Sequence, residues 1–422
     1  MVSGFFHEYM VSQPMQDNLV YVIDGGQSLT SQRRERHLSV QHDKLTQLHM
    51  GMIDFSLLRS LTVFVEWDSR LVPCKMVLLQ VLDLEDAVEL TDDELSSIKW
   101  KWLPRLKFLS LRGCQLVSCL PSSLFGLEHL ETLDVKGTSI AELPRGINKL
   151  QKLQCLRVGR AIPLDDGQGI STERSYNYGV VVPLGIVGKL KDLHTIGVVN
   201  VGAAGGKAVL KNLRDYTGLR KLGVSGINPG NMRWLSLPDG KLSSLSVRFE
   251  GDIEDYSGLL HDVRYNDHLS SLKLYGPMRK FPAECIKKFE NLRKLTLEMC
   301  MLAAKDMKVI RHLHELSVLR LFFNQFQGDK LNFKLMSPLK VLEVACKSRL
   351  HVTFKKGWMD ELEVLKVDCS SGTQISDLEN LSSINQVCLR GSFDEILEEE
   401  VRRQIGNLPG APALTVEWTP IE

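Results

Sequence analysis

Leucines in the frame L-x-x-L-x-L recur along this chain at a nearly fixed interval, and no other feature of the sequence constrains the fold so strongly. The frame is clearest between Leu106 and Val158. It falls at Leu106, Leu109 and Leu111, at Leu130, Leu133 and Val135, and at Leu153, Leu156 and Val158. Successive starts lie 24 and 23 residues apart. L-x-L alternation buries every second residue of a short strand. A single such segment cannot close its own core, so neighbours must stack and share one. A chain of this kind grows in one dimension, so its 422 residues need not divide into domains of ordinary size.

The full pattern L-x-x-L-x-L-x-x-N/C-x-L on a period of this length is the signature of the leucine-rich repeat, and Cys114 stands where it has Asn or Cys. We therefore expect an α/β leucine-rich-repeat solenoid, a horseshoe. Short parallel strands should line its concave face and irregular or helical connections its convex side. The frame traces about 14 repeats, starting at Leu58, Leu79, Leu106, Leu130, Leu153, Leu193, Leu219, Leu242, Leu269, Leu292, Leu316, Leu339, Leu362 and Ile384. Eight residues after each start the ladder position holds Cys114, Thr138, Cys300, Asn324, Ser370 and Ser392 in the favourable repeats. Elsewhere it holds residues such as Glu66, Pro277 and Lys347, so the polar ladder is broken. Leu120–Pro121, Leu143–Pro144 and Phe281–Pro282 mark turns onto the convex side. The step from Leu153 to Leu193 is 40 residues and implies a polar, glycine-rich loop inserted at 159–182.

Three divisions follow. Residues 1–35 carry no repeat, although Val20–Tyr21–Val22 reads as a strand and Leu38–Ser39–Val40 as the first strand of the solenoid, which spans 36–392. Residues 393–422 read as a C-terminal cap. Within it, Asp394–Ile405 has helical spacing at Ile396/Leu397, Val401 and Ile405, with acids early and arginines late, as the helix dipole favours. Ala413–Trp418 then reads as a final strand.

Composition excludes several classes. With 43% hydrophobic residues, 24% charged and a net charge of +1, the chain reads as a folded protein without the basic excess of a nucleic-acid binder. No run of 18 apolar residues spans a membrane, and the N-terminus lacks a signal-peptide pattern. Nine cysteines without a C-x-x-C pair read as reduced, mostly buried thiols and so as a cytoplasmic location.

Catalytic chemistry is not legible. Gly202–Ala203–Ala204–Gly205–Gly206–Lys207–Ala208 approaches a phosphate loop, but its spacing is one residue short and Ala208 has no hydroxyl for magnesium. A glycine-rich connection fits it better. His261, Asp262, Asp267 and His268 carry ligand atoms, yet the histidines are seven apart with no second cluster, so a solvated loop is expected there. Neither G-x-S-x-G nor H-E-x-x-H occurs. The chain reads as no enzyme, with no cofactor and no metal.

What remains is surface. Residues four and six places after each start alternate with the buried leucines and should face outward on the concave side. Taken as protein-binding residues, they are Arg112, Lys136, Arg157, Arg248, Lys273, Tyr275, Glu298, Arg320, Phe322 and Lys366. Arginines and exposed aromatics (Tyr275 and Phe322) amid mixed charge are typical of protein-binding hot spots.

The run LKFLSLRGCQLVSCLPSSLFGLEHLETLDVKGTSIAELPRGINKLQKLQCLRV resembles the start of the leucine-rich domain in plant intracellular immune receptors. These are the coiled-coil, nucleotide-binding (NB-ARC), leucine-rich-repeat disease-resistance proteins, particularly those of grasses. VGKLKDLHTIGVV, YTGLRKLGVSGIN and the closing PALTVEW extend the resemblance. Glu8–Val11 through Asp17–Val20 is similar to the tail of the winged-helix region that precedes the repeats, and Arg36–Val40 to the strand that opens them. Walker motifs, the kinase-like arginine motif and the Met-His-Asp triplet are not found, so no residue inherits the family's nucleotide switch. The resemblance implies a non-enzymatic recognition module of innate immunity. Its partner would be a pathogen effector, a guarded host protein or a nucleotide-binding receptor. It also implies that apolar surface around Phe55 to Phe64 is left uncovered. A general scaffold or ubiquitin-ligase adaptor is the competing reading, but residues 1–35 offer no ligase-docking helix pair.

Overall fold

The computed structural model describes residues 20–23, 36–40, 54–64, 66–73, 76–160, 178–183, 189–235, 237, 241–251, 268–334, 338–406, 408 and 410–418. It resolves into two compact units. The first comprises residues 1–163 and 172–200, the second residues 164–171 and 201–422.

Unit 1 carries the strands β1 (Val20–Ile23), β2 (His37–Val40), β3 (Ser60–Val63), β4 (Val81–Asp83), β5 (Phe108–Ser110), β6 (Thr132–Asp134), β7 (Cys155–Arg157) and β8 (Thr195–Asn200). Each pairs with the next in parallel. The ladder thus opens at Val20, within the stretch that carries no leucine frame. Among the described residues its connections are short 3-10 turns and one helix, α1 (Asp92–Ser97). Thr91 caps α1 reciprocally with Glu94, each side chain meeting the other residue's amide. Pro121 and Pro144 precede the 3-10 turns Ser122–Gly126 and Arg145–Lys149. Their fixed φ and missing N–H suit a position just ahead of a helical turn, so both act as the sequence signal implied.

Unit 2 holds β9 (Lys221–Ile227), β10 (Ser244–Phe249), β11 (Ser271–Met278), β12 (Lys294–Ala303), β13 (Val318–Gln327), β14 (Leu331–Phe333), β15 (Val341–Cys346), β16 (His351–Phe354), β17 (Val364–Cys369), β18 (Gln374–Ser376), β19 (Gln386–Gly391) and β20 (Ala413–Trp418). The main sheet runs β9-β10-β11-β12-β13-β15-β17-β19-β20, all parallel. A second parallel sheet, β14-β16-β18, takes one strand from each of three successive repeats. The leucine frame did not announce it. The helices here are α2 (Gly206–Asn212), α3 (Ala283–Ile286), α4 (Met307–Ile310) and α5 (Glu395–Gly406). Pro282 immediately precedes α3, as its position implied.

All the repeat starts from Leu58 to Ile384 are buried, as are the leucine and valine positions that follow them within each described repeat. At about 1.5–3 kcal/mol per fully buried aliphatic side chain, this spine is the main stabilising term. Phe55 and Val63 are buried as well, so the apolar opening of the array is largely covered, and only Phe64 is 38% exposed.

The polar ladder departs from expectation where strands lengthen. Cys114 is buried with its thiol on the Leu84 carbonyl (3.0 Å), and the Thr138 hydroxyl donates to the Val135 carbonyl (2.8 Å). Asn324 is exposed, because β13 runs on as strand through the position where a ladder residue would turn inward. The turn after β9 is instead held by Asn231, buried in the next connection, whose Nδ2 donates to the Val201 (3.2 Å) and Gly226 (2.8 Å) carbonyls.

The described cysteines are free. Burial pushes the Cys114 and Cys285 thiols up to about 12, so they remain protonated core-filling groups. In α5, Leu397, Val401 and Ile405 are buried as their spacing implied, whereas Ile396 is 73% exposed. Most of the expected insertion, residues 161–177, lies outside the described residues, as do the early segment 1–19 and three of the four ligand-bearing residues around His261.

Candidate protein-recognition face

Position +4 does not lie open to solvent in the repeats that start at Leu79, Leu106 and Leu130. Asp83, Ser110 and Asp134 stand opposite one another across β4, β5 and β6, and all three are buried. Each side chain turns back to its own strand end. Asp83 Oδ1 accepts from the Glu85 amide (3.2 Å), Ser110 Oγ from Arg112 (3.4 Å) and Asp134 Oδ1 from Lys136 (3.1 Å). These are local turn caps repeated at the same place in successive repeats. Gly113 follows at φ +77°, and a Cβ there would meet the Asp86 carboxylate at 1.7 Å, so only glycine fits.

Stacked in register, these groups crowd one another. Burial, above all, pushes the Asp83 carboxyl up to about 6. The Glu85 amide and Ser110 hydroxyl pull it back, while the Glu85 and Asp134 charges push it further up. Arg157 ends the row, its Nη1 3.1 Å from Asp134 Oδ2, with its side chain 40% exposed. Arg112 lies 3.5 Å from Glu85 on the neighbouring +6 row. Lys136 is half-buried.

In unit 2 the outward face forms two rows. Arg248, Tyr275 and Glu298 occupy consecutive strands of the +6 row. Arg248 lies over the Tyr275 ring at 5.5 Å and reaches Glu298 at 3.5 Å. Further on, Glu343 receives two arginines, Arg320 at 3.0 Å and Arg390 at 2.7 Å, and Arg390 also bonds Asp368 at 2.7 Å. Lys273 and Lys366 are half-buried on the +4 row, beside Thr296 and Glu343.

The two aromatics expected to be exposed are not. Tyr275 is 3% exposed and Phe322 5%, and Arg248 is buried too. Strands in a parallel sheet sit only about 4.8 Å apart. A large +6 side chain is therefore roofed by its neighbours on both sides, and the alternation of a single strand does not reveal this. The candidates split accordingly. Arg112, Lys136, Arg157, Lys273, Glu298, Arg320 and Lys366 keep partial exposure on the outward face. Tyr275, Phe322 and Arg248 form its floor.

The glycine-rich connection proves structural. Gly205 takes φ +89° ahead of α2, and a Cβ on Gly206 would fall 1.9 Å from the Val201 carbonyl oxygen, so close packing explains the glycines. No cluster of ligand side chains able to hold a metal occurs among the described residues. Nor is any described helix long and apolar enough to cross a membrane.

Comparisons with known proteins agree with this architecture. The model of the leucine-rich repeat region matches residues 57–408. The rice (Oryza sativa subsp. japonica) disease resistance protein Pik-2 is 26% identical over 349 residues, covering 75% of this chain and 33% of its own length. The rice disease resistance protein RGA4 is 28% identical over 399 residues, covering 91% of this chain and 36% of its own. The chain thus spans about a third of the length of these relatives. Among solved structures, a leucine-rich-repeat protein of Leptospira interrogans aligns over 89% of this chain and 83% of its own, with a TM-score of 0.47 and 17% identity. Leucine-rich repeats of this kind are protein-interaction scaffolds, and no catalytic family is indicated. With the repeat frame, the parallel ladder and the match over 57–408 in agreement, the chain belongs to the leucine-rich-repeat family.

Proposed function

We propose that this protein recognises another protein in plant defence, acting in the cytoplasm through the outward face of its parallel sheet. The partner is a pathogen effector, a guarded host protein or a receptor bearing a nucleotide-binding domain. One observation carries the reading. Arg320 and Arg390 are held in ion pairs to Glu343 and Asp368, yet their side chains stay 28% and 20% exposed. Arginines already fixed in geometry lose little freedom on binding, which suits them as interface anchors. Lys273 and Lys366 are half-buried charges on the same outward face. The relatives named disease resistance proteins supply the defence context.

Proximity labelling in plant cells tests this, comparing the wild type with the Lys273→Glu/Lys366→Glu variant. Lys366 stands opposite Glu343 across β15 and β17, so thermal melts check that the variant folds before the partner sets are compared. Loss of a defined effector, host target or receptor from the variant's partner set supports the reading. An identical partner set in the two proteins sinks it.

A further inference from the structure

Three cations of unit 2 stand together, and among the described residues no carboxylate is bonded to any of them. β14 and β16 run in register, Phe333 opposite Phe354, and the two rings stack with centroids 6.0 Å apart. The next residues along the two strands are Lys334 and Lys355, so both ammonium groups leave the small sheet at the same end. Arg311, immediately after α4, is the third. Its Cζ lies 6.0 Å from the Trp358 ring centre, and its Nε is buried without a hydrogen-bond partner. The Lys355 ammonium, and more weakly Arg311, holds Lys334 below the usual lysine range.

The surrounding sequence does not neutralise them. Residues 335–337 are Leu, Met and Ser, and Lys356 adds a further positive charge. Of the acids that follow, Glu363 lies 2.8 Å from Lys340, and Glu361 also acts on Lys340. Like charges brought together on ordered strands cost free energy that a bound anion offsets. Phosphate, with several oxygens at close quarters, is the anion such a mixed guanidinium–ammonium set suits.

We propose that Lys334, Lys355 and Arg311 form a binding site for a polyphosphate anion. Trp358 flanks the guanidinium and orients its nitrogen edge toward the ligand, and the two lysines supply mobile point charges. The chemistry is common to soluble inositol polyphosphates and phosphoinositide headgroups. The site shares no residue with the outward rows of the main sheet and does not depend on the function proposed above.

The test uses the full chain and two probes: inositol hexakisphosphate by isothermal titration calorimetry, and phosphatidylcholine vesicles doped with phosphatidylinositol bisphosphate by co-sedimentation. Wild type is compared with Lys334→Glu/Lys355→Glu, with the milder Lys334→Gln/Lys355→Gln, and with Lys189→Glu/Lys191→Glu as a control of equal charge change. Thermal melts check that each variant folds. Binding that weakens about tenfold or more in the Glu variant, less in the Gln variant, and little in the control supports the site. Binding of the soluble probe alone assigns a free polyphosphate, and binding of the vesicles as well assigns a headgroup. No binding by the wild type overturns the proposal. So does an unchanged affinity in the Glu variant, or an equal loss in the control.

Discussion

Single residues in the outward rows do structural work that their alternation disguises. Asp83 is the clearest case. Its carboxyl titrates near 6 in the folded protein and near 3.8 when unfolded. The folded state therefore binds the proton more tightly. The favourable contribution is complete below about pH 3.8 and is lost as pH rises through about 6, which leaves a penalty of about 2–3 kcal/mol at neutral pH. Asp83→Asn keeps an oxygen for the Glu85 amide and removes the charge. It is expected to raise the melting temperature at pH 7.5 and to leave it unchanged at pH 3.5. Equal shifts at both pH values would show that burial does not perturb this carboxyl. Glu343 makes the opposite case, since it neutralises two arginines from strands on either side of it. Glu343→Ala leaves both without that partner and should cost about 2 kcal/mol in urea denaturation. Because Glu343 is buried, the loss should persist at high salt, whereas a surface pair would be screened.

Among the elements, α5 buries Leu397, Val401 and Ile405, and Gln404 hydrogen-bonds it to the array. Gln404 is buried, its Oε1 accepts from the Leu378 amide (3.0 Å), and its Nε2 donates to the Ile375 carbonyl (3.0 Å). Gln404→Ala strands two buried backbone groups, so a loss of about 2 kcal/mol is expected, with faster amide exchange at Leu378. Gln404→Glu keeps the acceptor but sets a buried carboxylate against the Ile375 carbonyl and the Glu400 carboxylate, so it should cost at least as much as Ala. The helix itself was legible in the sequence from Leu397, Val401 and Ile405, and the strands from the leucine frame, because burial on one side imposes a period that a sequence displays. Gln404 was not, since a polar residue on a charged helix gives no sign that its partners are main-chain groups 26 and 29 residues away. The same limit explains Tyr275 and Phe322. Period two tells which side of a sheet a residue faces, but how deeply it is covered there depends on neighbours more than 20 residues distant. The small sheet β14-β16-β18 escaped for a related reason. Its strands of three or four residues are too short to show alternation.

At the level of the whole molecule, each repeat is stabilised by the one before and the one after it, so damage should stay local. Leu133→Ala opens a cavity in the core of unit 1 and should cost about 3 kcal/mol. Hydrogen exchange is expected to accelerate across β5, β6 and β7 while β15, β17 and β19 keep their protection. Uniform acceleration over both sets of strands would instead show a single cooperative fold. The in-register parallel ladder also has a genetic consequence. Partners across it lie one repeat length apart, as Asp134 and Arg157 do. Unequal crossing-over that removes or duplicates one whole period keeps every leucine in phase while bringing new charges side by side on the outward face. A deletion of half a period throws every downstream leucine out of phase. Such a chain can rewrite its recognition surface in whole-repeat steps by recombination, with its core left unchanged.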